Sequence, residues 1–138
     1  MTATAVGGAR SAEPVRERDA PVLEANVLEE LAASVGGDRG FVVELIDAYL
    51  ADSATQVDAV EAAAEADDAD AIVRPAHTLK SSSATLGARR LSELARAVEM
   101  AGRSGSLAGE PARAAASLRA EWERAVAALR SWTTEAGG

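Results

Sequence analysis

Residues 67–100 read DDADAIVRPAHTLKSSSATLGARRLSELARAVEM, and the fold is decided there. Ile72, Val73, Ala76, Leu79, Ser83 and Leu86 recur three or four positions apart, the period of a single helix face. Gly87 interrupts the pattern, and Leu91, Leu94, Ala95 and Val98 resume it as a new stripe. Asp67-Asp68 marks the start, because a side-chain carboxylate can accept the free N–H groups of a first turn. Pro75 has no N–H and crowds the turn before it, which predicts a kink or a late helix start.

The same period extends in both directions. Upstream, Asp38 is placed to cap a long helix whose apolar stripe is traced by Phe41, Leu45, Ala48, Tyr49, Val57, Val60 and Ala64. Its outer face is acidic and reads as a solvated surface. A short helix precedes it, with Val27, Leu28, Leu31 and Val35 in phase and Gly36-Gly37 as its stop. Downstream, Gly102 to Ser106 reads as a loop that closes the fourth stripe. The last helix is expected to open near Pro111 and to bury Leu118, Trp122, Ala125, Leu129 and Trp132. Residues 134–138 should fray, and Met1 to Pro21, rich in Gly, Ala, Pro and alternating charge, reads as a disordered tail. The expected domain, residues 22–133, is all-α: an antiparallel four-helix bundle with a short additional N-terminal helix.

Composition narrows the function. The formal net charge of −8 argues against a nucleic-acid partner, which would demand a dense basic patch. No apolar run approaches the ~20 residues that span a bilayer, and no secretion signal opens the chain. A cytoplasmic, membrane-independent protein is expected. With no cysteine and a single histidine, the chain cannot build a typical nitrogen–sulfur metal site, and no metal or cofactor is expected.

The chemistry concentrates in residues 76–88, AHTLKSSSATLGA, which hold the only histidine, His77, and the only lysine, Lys80. Every other basic residue is arginine. A lone Lys three positions after a lone His suits a site that needs a compact three-donor ammonium rather than a planar fork. On a helix His77 shares its face with Val73, Arg74, Lys80, Ser81 and Ala84, while Ala76, Leu79, Ser83 and Leu86 turn to the core. The small side chains of Ser81 and Ala84 leave room for a large partner.

This arrangement, His77-x-x-Lys80 with Ser81, Ser83 and Leu86-Gly87-Ala88, resembles the signature of histidine-containing phosphotransfer (HPt) domains. GGDRGFVVELIDAYLADS at residues 36–53 and LSELARAVEMAGRSGSL at residues 91–107 are similar to the family's neighbouring helices. The resemblance implies a phosphorelay intermediate without a kinase domain of its own. His77 would be its phosphohistidine, Lys80 its charge partner, and Arg74, Ser81 and Ala84 its contact residues. It implies partners among receiver domains of response regulators or hybrid histidine kinases, which would supply the magnesium, since no clustered carboxylates flank His77. A stand-alone, monomeric protein is expected. The family often has glycine where Ser81 stands. The rival reading is a four-helix interaction module that binds a receiver or kinase without carrying phosphate, and the presence of His77 speaks against it.

Overall fold

The computed structural model describes residues 22–137, and the tail expected to be disordered lies outside them. The described residues form five helices: α1 (Val27–Ser34), α2 (Arg39–Glu65), α3 (Ala69–Thr85), α4 (Arg89–Ser104) and α5 (Glu110–Gly137). Short turns reverse the chain between α2, α3, α4 and α5. Each packs on the next, and α5 returns to α2, so the four close an antiparallel ring with α1 laid against α2. The expected four-helix bundle with a short extra N-terminal helix is the observed one.

Local signals explain where the helices begin. Asp38 accepts a hydrogen bond from the Phe41 amide at 3.0 Å, and Asp68 accepts one from the Ala71 amide at 3.0 Å. Each carboxylate satisfies an amide that the first turn leaves without an internal acceptor. Gly87 ends α3 with φ 84°, a left-handed conformation that costs a side-chain-bearing residue about 1–2 kcal/mol. Its carbonyl also accepts the Glu24 amide at 2.8 Å, which ties the segment before α1 onto the α3–α4 turn.

The core runs along the bundle axis in two connected parts. Val57, Val60, Ile72, Leu79, Leu91, Val98 and Leu118 fill the larger one. Leu28, Val42, Ile46, Tyr49, Leu86 and Leu129 fill the other, under α1. Burying each large aliphatic side chain contributes about 1.5–3 kcal/mol. Two polar pairs lie within it: the Tyr49 hydroxyl and Ser83 Oγ are 2.8 Å apart, and Trp122 Nε1 donates to Ser53 Oγ at 2.8 Å.

The structure corrects three expectations. The buried stripe of α2 is Val42, Ile46, Tyr49, Ser53, Val57, Val60 and Ala63, one residue out of phase with the expected Phe41, Leu45 and Ala48 at its start. Docking of α1 on the Val42 and Ile46 side turns Phe41 outward, to 41% exposure. The late start of α3 does not occur; the helix begins at Ala69, and the Pro75 ring packs into its buried face. Gly102 to Ser104 are helix rather than loop. A Cβ on Gly102 would stand 2.7 Å from Ile72 Cγ2 and 2.8 Å from the Ala69 carbonyl oxygen, so this glycine permits a close crossing of α4 over α3. The last helix, α5, runs to Gly137. Its last turns are held where Trp132 Nε1 donates to Glu29 Oε2 at 3.0 Å and Arg39 stacks over the Trp132 ring, 5.5 Å from its centroid.

Gly102→Ala tests the close crossing. Alanine gains about 1 kcal/mol of helix propensity, but overpacking against a backbone oxygen costs ~1–3 kcal/mol. The urea midpoint is expected to fall. A raised midpoint would show that the helices have room to part.

Candidate functional site

His77 lies midway along α3 with half of its side chain, 52%, open to solvent. The α3 face that carries it is exposed at Arg74, Ser81 and Ala84 and half-buried at Val73 and Lys80. The residues grouped around His77 on the sequence pattern therefore do share one face. Ala76, Leu79 and Ser83 are buried on the opposite side, as the spacing requires.

The centre of the site comes from α4. Glu99 is buried, its side chain only 4% exposed, and its carboxylate reaches under His77. His77 Nδ1 lies 2.9 Å from Glu99 Oε2. The same oxygen accepts from Arg103 Nε at 3.0 Å and Nη2 at 2.8 Å. Lys80 Nζ stands 2.8 Å from the other oxygen, Oε1. A further link fixes the helix pair at this level, since Ser92 Oγ on α4 donates to the Lys80 carbonyl at 2.8 Å.

These contacts decide the charge of Glu99. Burial opposes ionisation, but the hydrogen bonds from Lys80, Arg103 and His77 and the nearby ammonium charge outweigh it, holding the carboxyl at about 2. An ionised carboxylate can only accept, so Nδ1 of His77 must be the donor. In the neutral ring the proton then sits on Nδ1, and Nε2 carries the lone pair. A buried carboxylate thereby selects the tautomer of a half-exposed imidazole, as an aspartate does for the histidine of a serine-protease triad.

The sequence pattern singles out His77 and Lys80 but neither Glu99 nor Arg103, and it implies no carboxylate cluster beside His77. A single carboxylate does lie there, delivered from the next helix. The available signal was the phase of Glu99, which falls on the apolar side of α4 with Ala95, Val98 and Gly102; an acidic residue in such a stripe is buried only when paired. Arg103 was hidden by the loop assigned to its segment. Lys80 is found paired to Glu99. Among the described residues, no three His, Cys, Asp or Glu side chains are grouped to hold a metal ion.

Fold and site together define a helical bundle that presents one oriented histidine on the outer face of a central helix. Residues 44–132 match the Hpt domain family, and the chain belongs to that family. Its fold is similar to the crystal structure of histidine-containing phosphotransfer protein B (HptB) from Pseudomonas aeruginosa PAO1, with a TM-score of 0.74 at 24% identity. That similarity covers 84% of this chain and 97% of the other. No curated protein matches the chain. Membership supports a phosphotransfer role in two-component signalling. No helix among the described residues is long and apolar enough to cross a membrane.

The Glu99 cluster predicts how acid affects the fold. The folded value, about 2, lies below the ordinary 4.5, so the stabilisation is fully present above pH 4.5 and lost as pH falls toward 2. Relative to Glu99→Gln, the native protein should be more stable by about 3 kcal/mol at neutral pH. That gap should close in urea titrations between the two values. A gap that stays constant across this range would mean the carboxylate charge contributes nothing to stability.

Proposed function

We propose that the protein is a phosphorelay intermediate that accepts a phosphoryl group on His77 from a receiver-domain aspartate and passes it to the aspartate of another receiver. The observation that carries this reading is the Nδ1 contact to Glu99. It leaves Nε2 as the nucleophile on the exposed face, with its lone pair formed before the donor arrives. In the forward step, the Nε2 lone pair attacks phosphorus in line, the N–P bond forms, and the acyl phosphate bond breaks to release the aspartate carboxylate. The reverse geometry delivers the group to the next aspartate. Such transfers depend on position and on charge stabilisation far more than on covalent chemistry by the protein.

The surroundings suit a dianionic group. The chain as a whole is acidic, with a net charge of −8, yet Arg74 and Lys80 share the α3 face with His77, and Arg103 meets the same carboxylate. Lys80 has three N–H donors, so it can hold Glu99 and turn another toward a phosphoryl oxygen. Ser81 and Ala84, both exposed and small, keep the approach open for the receiver's loops. The magnesium that such transfers use belongs to the receiver, and the protein is expected to act as a cytoplasmic monomer.

Incubation with a phosphorylated receiver, or with a hybrid kinase and ATP, should produce an acid-labile, alkali-stable label on this chain. His77→Gln should abolish it while the helical circular dichroism is unchanged; label that persists would disprove the assignment. Lys80→Ala should slow transfer about tenfold, ~1.4 kcal/mol of barrier, with the bundle still folded. An unchanged rate would remove Lys80 from the mechanism.

A further inference from the structure

Glu99 does more than choose a tautomer, because its partner changes charge when the phosphoryl group arrives. If Nε2 attacks while Nδ1 already holds a proton, the product is a phosphorylated imidazolium, with phosphorus on one nitrogen and hydrogen on the other. That cation forms 2.9 Å from a carboxylate that is buried and ionised. We infer that Glu99 is a positioning residue that keeps phosphorylated His77 in its protonated, readily discharged form through neutral pH. The inference rests on the carrier reading given above and deepens it.

The chemical consequence follows from the leaving group. When the phosphoryl group departs to an aspartate or to water, the N–P bond breaks and its electron pair returns to Nε2. If Nδ1 is protonated, the ring leaves as neutral imidazole. If Nδ1 has lost its proton, the ring would have to leave as an imidazolide anion, a far poorer leaving group. The rate of discharge therefore follows the protonated fraction, and whatever raises the titration midpoint of the phosphorylated ring extends fast discharge to higher pH.

The charged groups around the ring set the sign. From α4, Glu99 touches Nδ1 directly, and Arg103 reaches the ring only through Glu99 Oε2. From α3 itself, Lys80 pairs with Glu99 Oε1 at 2.8 Å, and Arg74 is exposed one turn away. From α2, Asp52 lines the groove beside Thr78, and Tyr49 is turned inward to Ser83. The nearest charge is thus the carboxylate, in direct hydrogen-bond contact and shielded from water. An opposite charge at such range moves a midpoint by about 1–3 pH units.

The test loads the purified full chain with phosphoramidate, which needs no partner protein. Nε2 attacks its phosphorus, the P–N bond of the reagent breaks, and ammonia leaves. Phosphorus NMR then follows the titration of phosphorylated His77 and its decay across pH. Glu99→Gln keeps an acceptor for Nδ1 but removes the charge, so its midpoint should fall by about one pH unit or more. Above both midpoints its phosphohistidine should live about tenfold longer, and its transfer to a receiver should slow in parallel.

A second measurement needs no variant. The midpoint in the native chain should lie above that of free Nε2-phosphohistidine, and a value at or below the free compound overturns the inference. Coincident midpoints in the native protein and a folded Glu99→Gln variant overturn it as well. If His77 takes no phosphoryl group from phosphoramidate or from a phosphorylated receiver, the carrier reading itself fails, an outcome distinct from the other two.

Discussion

The Glu99 carboxylate is the constraint around which α3 and α4 are arranged. A charge buried this completely costs several kcal/mol unless hydrogen bonds replace its water. Here Oε2 accepts from His77 and twice from Arg103, and Oε1 faces the Lys80 ammonium. To deliver those donors, α4 must cross α3 closely, and Gly102 provides the clearance one turn past Glu99. The stability of the helix pair and the orientation of the His77 ring therefore rest on the same few atoms. Removing any one partner exposes the cost of the others.

Elsewhere the bundle uses charged residues differently. Arg119 on α5 spans to Glu61 at 2.8 Å and to Asp58 on α2, with its guanidinium over Trp122. Glu121, also buried, lies 2.9 Å from Arg124 and 3.6 Å from Arg90 on α4. These contacts suit arginine, whose planar fork bridges two carboxylates or stacks on a ring. Several are open to solvent and contribute little individually, so their effect is on the register of neighbouring helices. The single lysine stands apart. Its compact ammonium, on a flexible stem, stands 2.8 Å from Glu99 Oε1.

Legibility in the sequence tracked how local each cause was. The caps at Asp38 and Asp68 and the turn at Gly87 act within a few residues, and each was visible in the sequence. His77 and Lys80 lie one helical turn apart, so their shared face followed from the period alone. The errors arose where a distant element intervened. Phe41 was assigned to the core because nothing local shows that α1 docks on Val42 and Ile46 and leaves Phe41 outside. Gly102 reads as the start of a loop in the sequence, whereas in the fold its missing side chain admits Ile72 and Ala69.

By itself the sequence determined an all-helical chain, the order and approximate ends of its helices, and the place of its single histidine. Those properties depend on hydrophobic period, on capping chemistry and on there being a single imidazole. Only the tertiary structure decided which nitrogen of that imidazole meets a carboxylate. Glu99 is separated from His77 by a turn and most of a helix, and no spacing rule links positions on different helices. Their contact exists because two apolar stripes bury each other, and that packing brings the acid under the ring.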